Sequence, residues 1–126
     1  MDAYEFIDVE AALVQDLKGR GFTASTMVPN PAPVEHVLVD RVGGVADVVT
    51  DNATVTFIVS AGSWPAAFAL TKRVRQRVLS VPVLGGMPVY RRREVGGPSR
   101  APDPDTGGAR YQFTVEVKVR GSEPTP

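Results

Sequence analysis

Residues 111–120 read Tyr-Gln-Phe-Thr-Val-Glu-Val-Lys-Val-Arg, and this strict alternation constrains the chain more than any other stretch. Tyr111, Phe113, Val115, Val117 and Val119 share one parity, and Gln112, Thr114, Glu116, Lys118 and Arg120 share the other. Side chains of a strand point alternately to opposite faces, so this segment has one apolar face and one polar face. It demands a sheet that other elements cover on one side only.

Two segments have the helical spacing needed to supply that cover. The first is expected from Asp8 to Lys18, with Asp8 as cap and Gly19 and Gly21 marking its exit. Its apolar stripe is Val9, Leu13 and Leu17, flanked by Ala12 and Val14. The second is capped by Ser63, carries Pro65 in its first turn and runs to about Leu79. Ala67, Leu70, Val74 and Val78 form its buried stripe, with Phe68 and Thr71 at the edge. Lys72, Arg73, Arg75 and Arg77 gather toward its C-terminal half, where cations suit the helix dipole.

The remaining strands are expected at 22–28, 34–42, 53–61 and 87–95. Pro29, Pro31 and Pro33 stiffen the loop after the first of these. Gly43-Gly44 is expected to turn a hairpin between the next two, and the glycine pairs at 85–86, 96–97 and 107–108 also read as turns. Residues 96–109, rich in Pro and Gly, are expected to form one long loop, a length that in compact domains usually serves function or is disordered. The fold class is therefore α+β, a largely antiparallel or mixed β-sheet with two amphipathic helices packed on one face. One domain is expected over 1–126, with a folded core at 8–121 and a flexible tail at 122–126.

Composition narrows the function classes. Fourteen Lys and Arg balance fourteen Asp and Glu, so global charge gives no argument for nucleic acid or an anionic membrane. The acids concentrate in residues 1–52 and the bases in 72–100. No apolar run approaches the roughly 18 residues of a membrane span. The acidic start MDAYEFIDVE lacks the basic region of a secretory signal, so synthesis and use without export are expected. With no Cys, there are no disulfides, thiol nucleophiles or thiolate metal sites.

His36 is the lone histidine, without a second ligand at metal spacing, and no GxSxG, GxGxxG or P-loop pattern occurs. No catalytic, cofactor-binding or metal-binding residue is expected, and no cofactor. Arg91-Arg92-Arg93 puts charge on both faces of a strand. It reads as a charged edge that blocks stray pairing, as a protein contact, or as a nucleic-acid contact with only Tyr90 nearby to stack.

In order along the chain, "VEAALVQDLKGRG", "HVLVDRVGG", "ATVTFIVSAGSWPAAFALTKRVRQRVLS" and "DPDTGGARYQFTVEVKVRG" resemble the tail terminator (tail completion, head–tail joining) proteins of long-tailed bacteriophages over about residues 8–121. The resemblance implies a non-catalytic virion protein, made in the host cytoplasm and placed at the head-proximal end of the tail. Its partners would be its own copies in a hexameric ring, the major tail tube protein and the head–tail connector or stopper protein. Genomic DNA would pass through the lumen without specific binding, and no membrane would be involved.

On this view the loops at 29–33 and 96–109 become contact arms. Arg73, Arg75, Arg77, Arg91, Arg92, Arg93, Asp103, Asp105 and Arg110 become candidate subunit or partner interface residues. The alternatives are a head-completion stopper or a tail tube component of the same virion and, from another class, a small nucleic-acid- or ligand-binding module.

Overall fold

The computed structural model describes residues 4–124. Helix α1 (Val9–Gly19) and strand β1 (Ala24–Ser25) precede a long pair, β2 (His36–Ala46) and β3 (Thr50–Ser60). Helix α2 (Trp64–Val78), the short β4 (Val83–Leu84), β5 (Met87–Arg100) and β6 (Arg110–Arg120) follow. The six strands make one mixed sheet in the order β1-β2-β3-β6-β5-β4, with β1 parallel to β2 and every other pair antiparallel.

The alternation at the C-terminus does what its pattern demands. Strand β6 is central, and Phe113, Val115, Val117 and Val119 are buried opposite Phe57, Val55, Ala53 and Asp51 of β3. Leu13 and Leu17 of α1 and Leu70, Val74 and Val78 of α2 join the same core, so both helices cover one face. Each helix starts as the sequence indicates. The Asp8 carboxylate accepts from the Ala11 amide at 3.0 Å and the Ser63 hydroxyl from the Ala66 amide at 3.3 Å.

Several boundaries differ from expectation, each for a local reason. Of the strand expected at 22–28, only Ala24–Ser25 pairs, because the Ser25 hydroxyl donates to the Met27 carbonyl and turns the chain away from the sheet. Gly43-Gly44 is not the hairpin turn. The strand passes through it with a bulge between Arg41 and Gly43. Gly44 has φ +99, and a Cβ there would lie 2.0 Å from the Asn52 carbonyl oxygen. The turn comes at residues 47–49, where the Asp47 carboxylate accepts from the amides of Val49 and Thr50 at 3.0 and 2.8 Å.

Strand β5 likewise runs on through Gly96-Gly97-Pro98, its register shifting on either side of Gly96, so the expected long loop shrinks to 101–109. Pro98 is tolerated because beyond Val89 this strand is an open edge. Gly85-Gly86, with φ of +56 and +78, is a true hairpin turn between β4 and β5. In the expected tail, Ser122 bridges to Glu5, and residues 125–126 lie outside the described residues. Among the described residues no helix is long and apolar enough to cross a membrane.

Two substitutions test this architecture by urea denaturation. Phe113→Ala, which empties half of the central aromatic stack, is expected to cost about 3–5 kcal/mol. Gly44→Ala is expected to cost about 1–3 kcal/mol or more, because the new Cβ meets backbone that cannot move aside. An unchanged midpoint for the latter contradicts the bulge.

Candidate interaction surface

The arginines expected at an interface are largely engaged within the chain. Arg75 grips both oxygens of Glu94 on β5, and Arg77 grips both of Asp16 on α1 at 2.9 and 2.7 Å. Arg92 donates to the carbonyls of Val81 and Val89 at 3.0 and 3.2 Å. Arg93 meets Glu116 at 3.2 Å on the face away from the helices. The Arg75 hydrogen bond holds the Glu94 carboxyl below its ordinary pKa. Hydrogen bonds from Asn52 first, and Arg93 second, do the same for Glu116.

Arg73 is exposed and lies over the Phe22 ring, 5.2 Å from its centroid. Arg91 is also exposed, and neither is in a salt bridge among the described residues. The uneven distribution of charge along the sequence is thus partly neutralised by folding, since Asp16 from the acidic half meets Arg77 from the basic half.

The loop at 101–109 is folded on itself. Asp103 accepts from the amides of Asp105 and Thr106 at 2.8 and 3.3 Å, and its carbonyl accepts from Gly107 at 2.8 Å. Those two amides also hold the Asp103 carboxyl below its ordinary pKa. Arg110 donates to the Ala101 carbonyl at 2.7 Å, closing the base of the loop. Asp105 remains exposed. Of the expected interface residues, Asp103 and Arg110 come together, lining a cleft of about 230 Å³. The proline-rich segment at Val28, Ala32, Pro33 and Val34 forms its other wall, with His36 and Ser60 also lining it.

His36 is 3% exposed, and its Nε2 is 2.6 Å from the Ser25 hydroxyl. A serine next to a histidine invites a nucleophile–base reading. The single hydroxyl proton of Ser25, however, goes to the Met27 carbonyl, so Nε2–H donates to the serine oxygen. The pair anchors the start of the proline-rich loop to β2. Burial pushes the imidazole below its ordinary pKa.

Sequence reasoning missed two surface features. Trp64, Phe68 and Tyr111 cluster where α2 begins, with the Trp64 and Tyr111 rings 5.4 Å apart, edge to face, and Arg100 over Trp64 at 4.6 Å. Trp64 and Phe68 are four apart on one helix and share a face, and tertiary contact adds Tyr111 and Arg100 to them. The other feature is the tip of the β2–β3 hairpin, where Val42, Val45, Val48 and Val49 are exposed. Their dense spacing, four valines within residues 42–49, is the signal that the sequence offers.

No family model and no curated protein matches the chain. Among solved structures, it is similar to a chain in the virion of the native gene transfer agent (GTA) particle. Identity is 13%, the match covers 91% of this chain and 95% of that one, and the TM-score is 0.54. The two chains share a fold.

The His36 anchor makes a pH prediction. The unfolded chain takes up a proton near pH about 6.5 while the folded chain resists it, so the stabilisation is present above that pH and is lost below it. The urea midpoint should fall from about pH 7.5 to about pH 5.5 in the wild type and fall less in His36→Gln. Parallel pH profiles would count against the assignment.

Proposed function

We propose that this chain is a structural subunit of a virion and, within it, the tail terminator. Copies would form a ring on the end of the tail tube, stop its growth and offer a surface to the head connector. The observation that carries this reading is the fold likeness to a virion chain, which runs over nearly the whole of both chains. The stretches that resemble tail terminator proteins span the same core, from α1 through β6. In this role the protein acts by assembly, not by turnover of a substrate.

The long β2–β3 hairpin favours a second reading, a component of the tube itself, because tube proteins generally build an inner barrel from such hairpins. The 15-residue α2, packed on β3 and β6, supports the terminator instead.

One experiment separates the two: add the purified protein to the polymerising tube protein of the same genome and measure tube lengths by electron microscopy. A terminator shortens the tubes in proportion to its amount and is found at their ends. A protein that itself polymerises into tubes is a tube component. Tubes of unaltered length with bare ends overturn the proposal.

A further inference from the structure

We propose that the basic β5 edge of one copy lies, head to tail, against the acidic β2 edge of a second copy. This inference rests on the reading above and names the contact that would build the ring.

Both edges of the sheet are largely open. Strand β1 pairs with β2 only at Val37 and Leu38, and β4 pairs with β5 only at Met87 and Pro88. Among the described residues no strand lies outside β2 from Val39 to Ala46 or outside β5 from Tyr90 to Arg100. An uncovered edge offers backbone donors and acceptors to another chain. Apolar groups stand on both edges. Val42 and Val45 of β2 are 56% and 75% exposed, and Tyr90 and Val95 of β5 are 54% and 48% exposed.

The two edges carry opposite charge with every internal pair counted. At β2, Asp8, Glu10, Asp40 and Asp51 are set against Arg41. Arg41 binds both oxygens of Asp51 at 2.6 and 2.7 Å, and its backbone amide donates to Glu10 at 2.7 Å. Asp8 and Asp40 are exposed and in no salt bridge among the described residues. Four carboxylates to one guanidinium leave this edge negative. At β5, Arg91, Arg92 and Arg93, with Arg75 of α2 beside them, are set against Glu94 and Glu116. Four guanidinium groups to two carboxylates leave that edge positive. Between the edges Lys118 acts on Asp47, and those two charges balance.

Charge decides which edges meet. Two β5 edges would bring arginines together and two β2 edges carboxylates, whereas β5 against β2 is attractive. Within one chain, β3 and β6 separate the two edges. Strand spacings of about 4.8 Å put them roughly 14 Å apart, beyond the screening length of about 8 Å in physiological salt. The two charges therefore do not cancel inside a copy. Strands β2, β3, β6 and β5 alternate in direction, so a second copy continued in the same orientation sets its β2 antiparallel to the β5 of the first. A contact between two different patches is heterologous, and it makes a ring when the rotation closes. The bulge in β2 and the register shifts in β5 give both edges the bend that a closing sheet needs.

Sedimentation velocity of the purified chain, from low to high salt, tests the contact. The wild type should assemble to one discrete size and dissociate as salt rises. Arg91 and Asp40 are both exposed, and Arg91→Glu and Asp40→Lys each invert part of one edge. Each should weaken assembly about tenfold. Urea midpoints matching the wild type show that they fold, and the milder Arg91→Gln and Asp40→Asn should weaken assembly less. Lys72→Glu on α2 and Asp105→Lys on the 101–109 loop change net charge equally, away from both edges, and should leave assembly unchanged. A wild type that stays monomeric, edge variants that assemble like the wild type, or controls that fail equally overturn the proposal. Tube arrest by each protein is scored in parallel. Arrest without edge-dependent assembly leaves the terminator reading standing and removes this contact, and edge-dependent assembly without arrest does the reverse.

Discussion

Phe57 and Phe113 face each other across the β3–β6 pair with ring centroids 5.0 Å apart and planes 13° from parallel. The register of the two central strands runs through this contact, with Val55 opposite Val115 and Ala53 opposite Val117. A slip of one residue would turn every one of those side chains to the open face and bring Thr114, Glu116 and Lys118 into the core. Strands β2 and β5 take their positions from this pair, and both helices bury their stripes against its apolar side. The hairpin tip and the cleft are the two ends of what it fixes.

Two of the arginines expected at an interface make ion pairs within the chain. Arg75–Glu94 ties α2 to β5, and Arg77–Asp16 ties α2 to α1. Part-exposed pairs of this kind add little stability, but bidentate geometry restricts how a helix can rotate on its sheet. Apart from the exposed Arg73 and Arg91, the surface features that stand out are the valine tip, the proline-walled cleft and the Trp64–Phe68–Tyr111 cluster. Aromatic and aliphatic anchors with a few charges around them are the usual composition of a protein contact.

Much of the fold was legible before any coordinates. Asp8 and Ser63 cap their helices as read, and the buried stripes are those the spacing indicated. The boundaries misread at Gly43-Gly44 and Gly96-Gly97 share one cause. A glycine pair specifies permissive backbone, not a turn, and whether it turns, bulges or runs straight depends on the strand beside it. Gly85-Gly86 turns because Leu84 and Met87 pair across it. Gly43-Gly44 continues because Ala53 and Thr54 of β3 lie alongside. The two-residue β4 left no signal of its own, since a strand that short has no periodicity to read.

The amino-acid sequence by itself determined the two helices, the cores of the four long strands, and the buried side of each helix and of β6. Caps and periodicities are written in residues a few positions apart. Only the tertiary structure decided that Asp16 neutralises Arg77, that β1 joins parallel to β2, and that Val28 and Val34 share a cleft with Arg110. Those pairings join residues many positions apart, and a chain must close around one core before they exist.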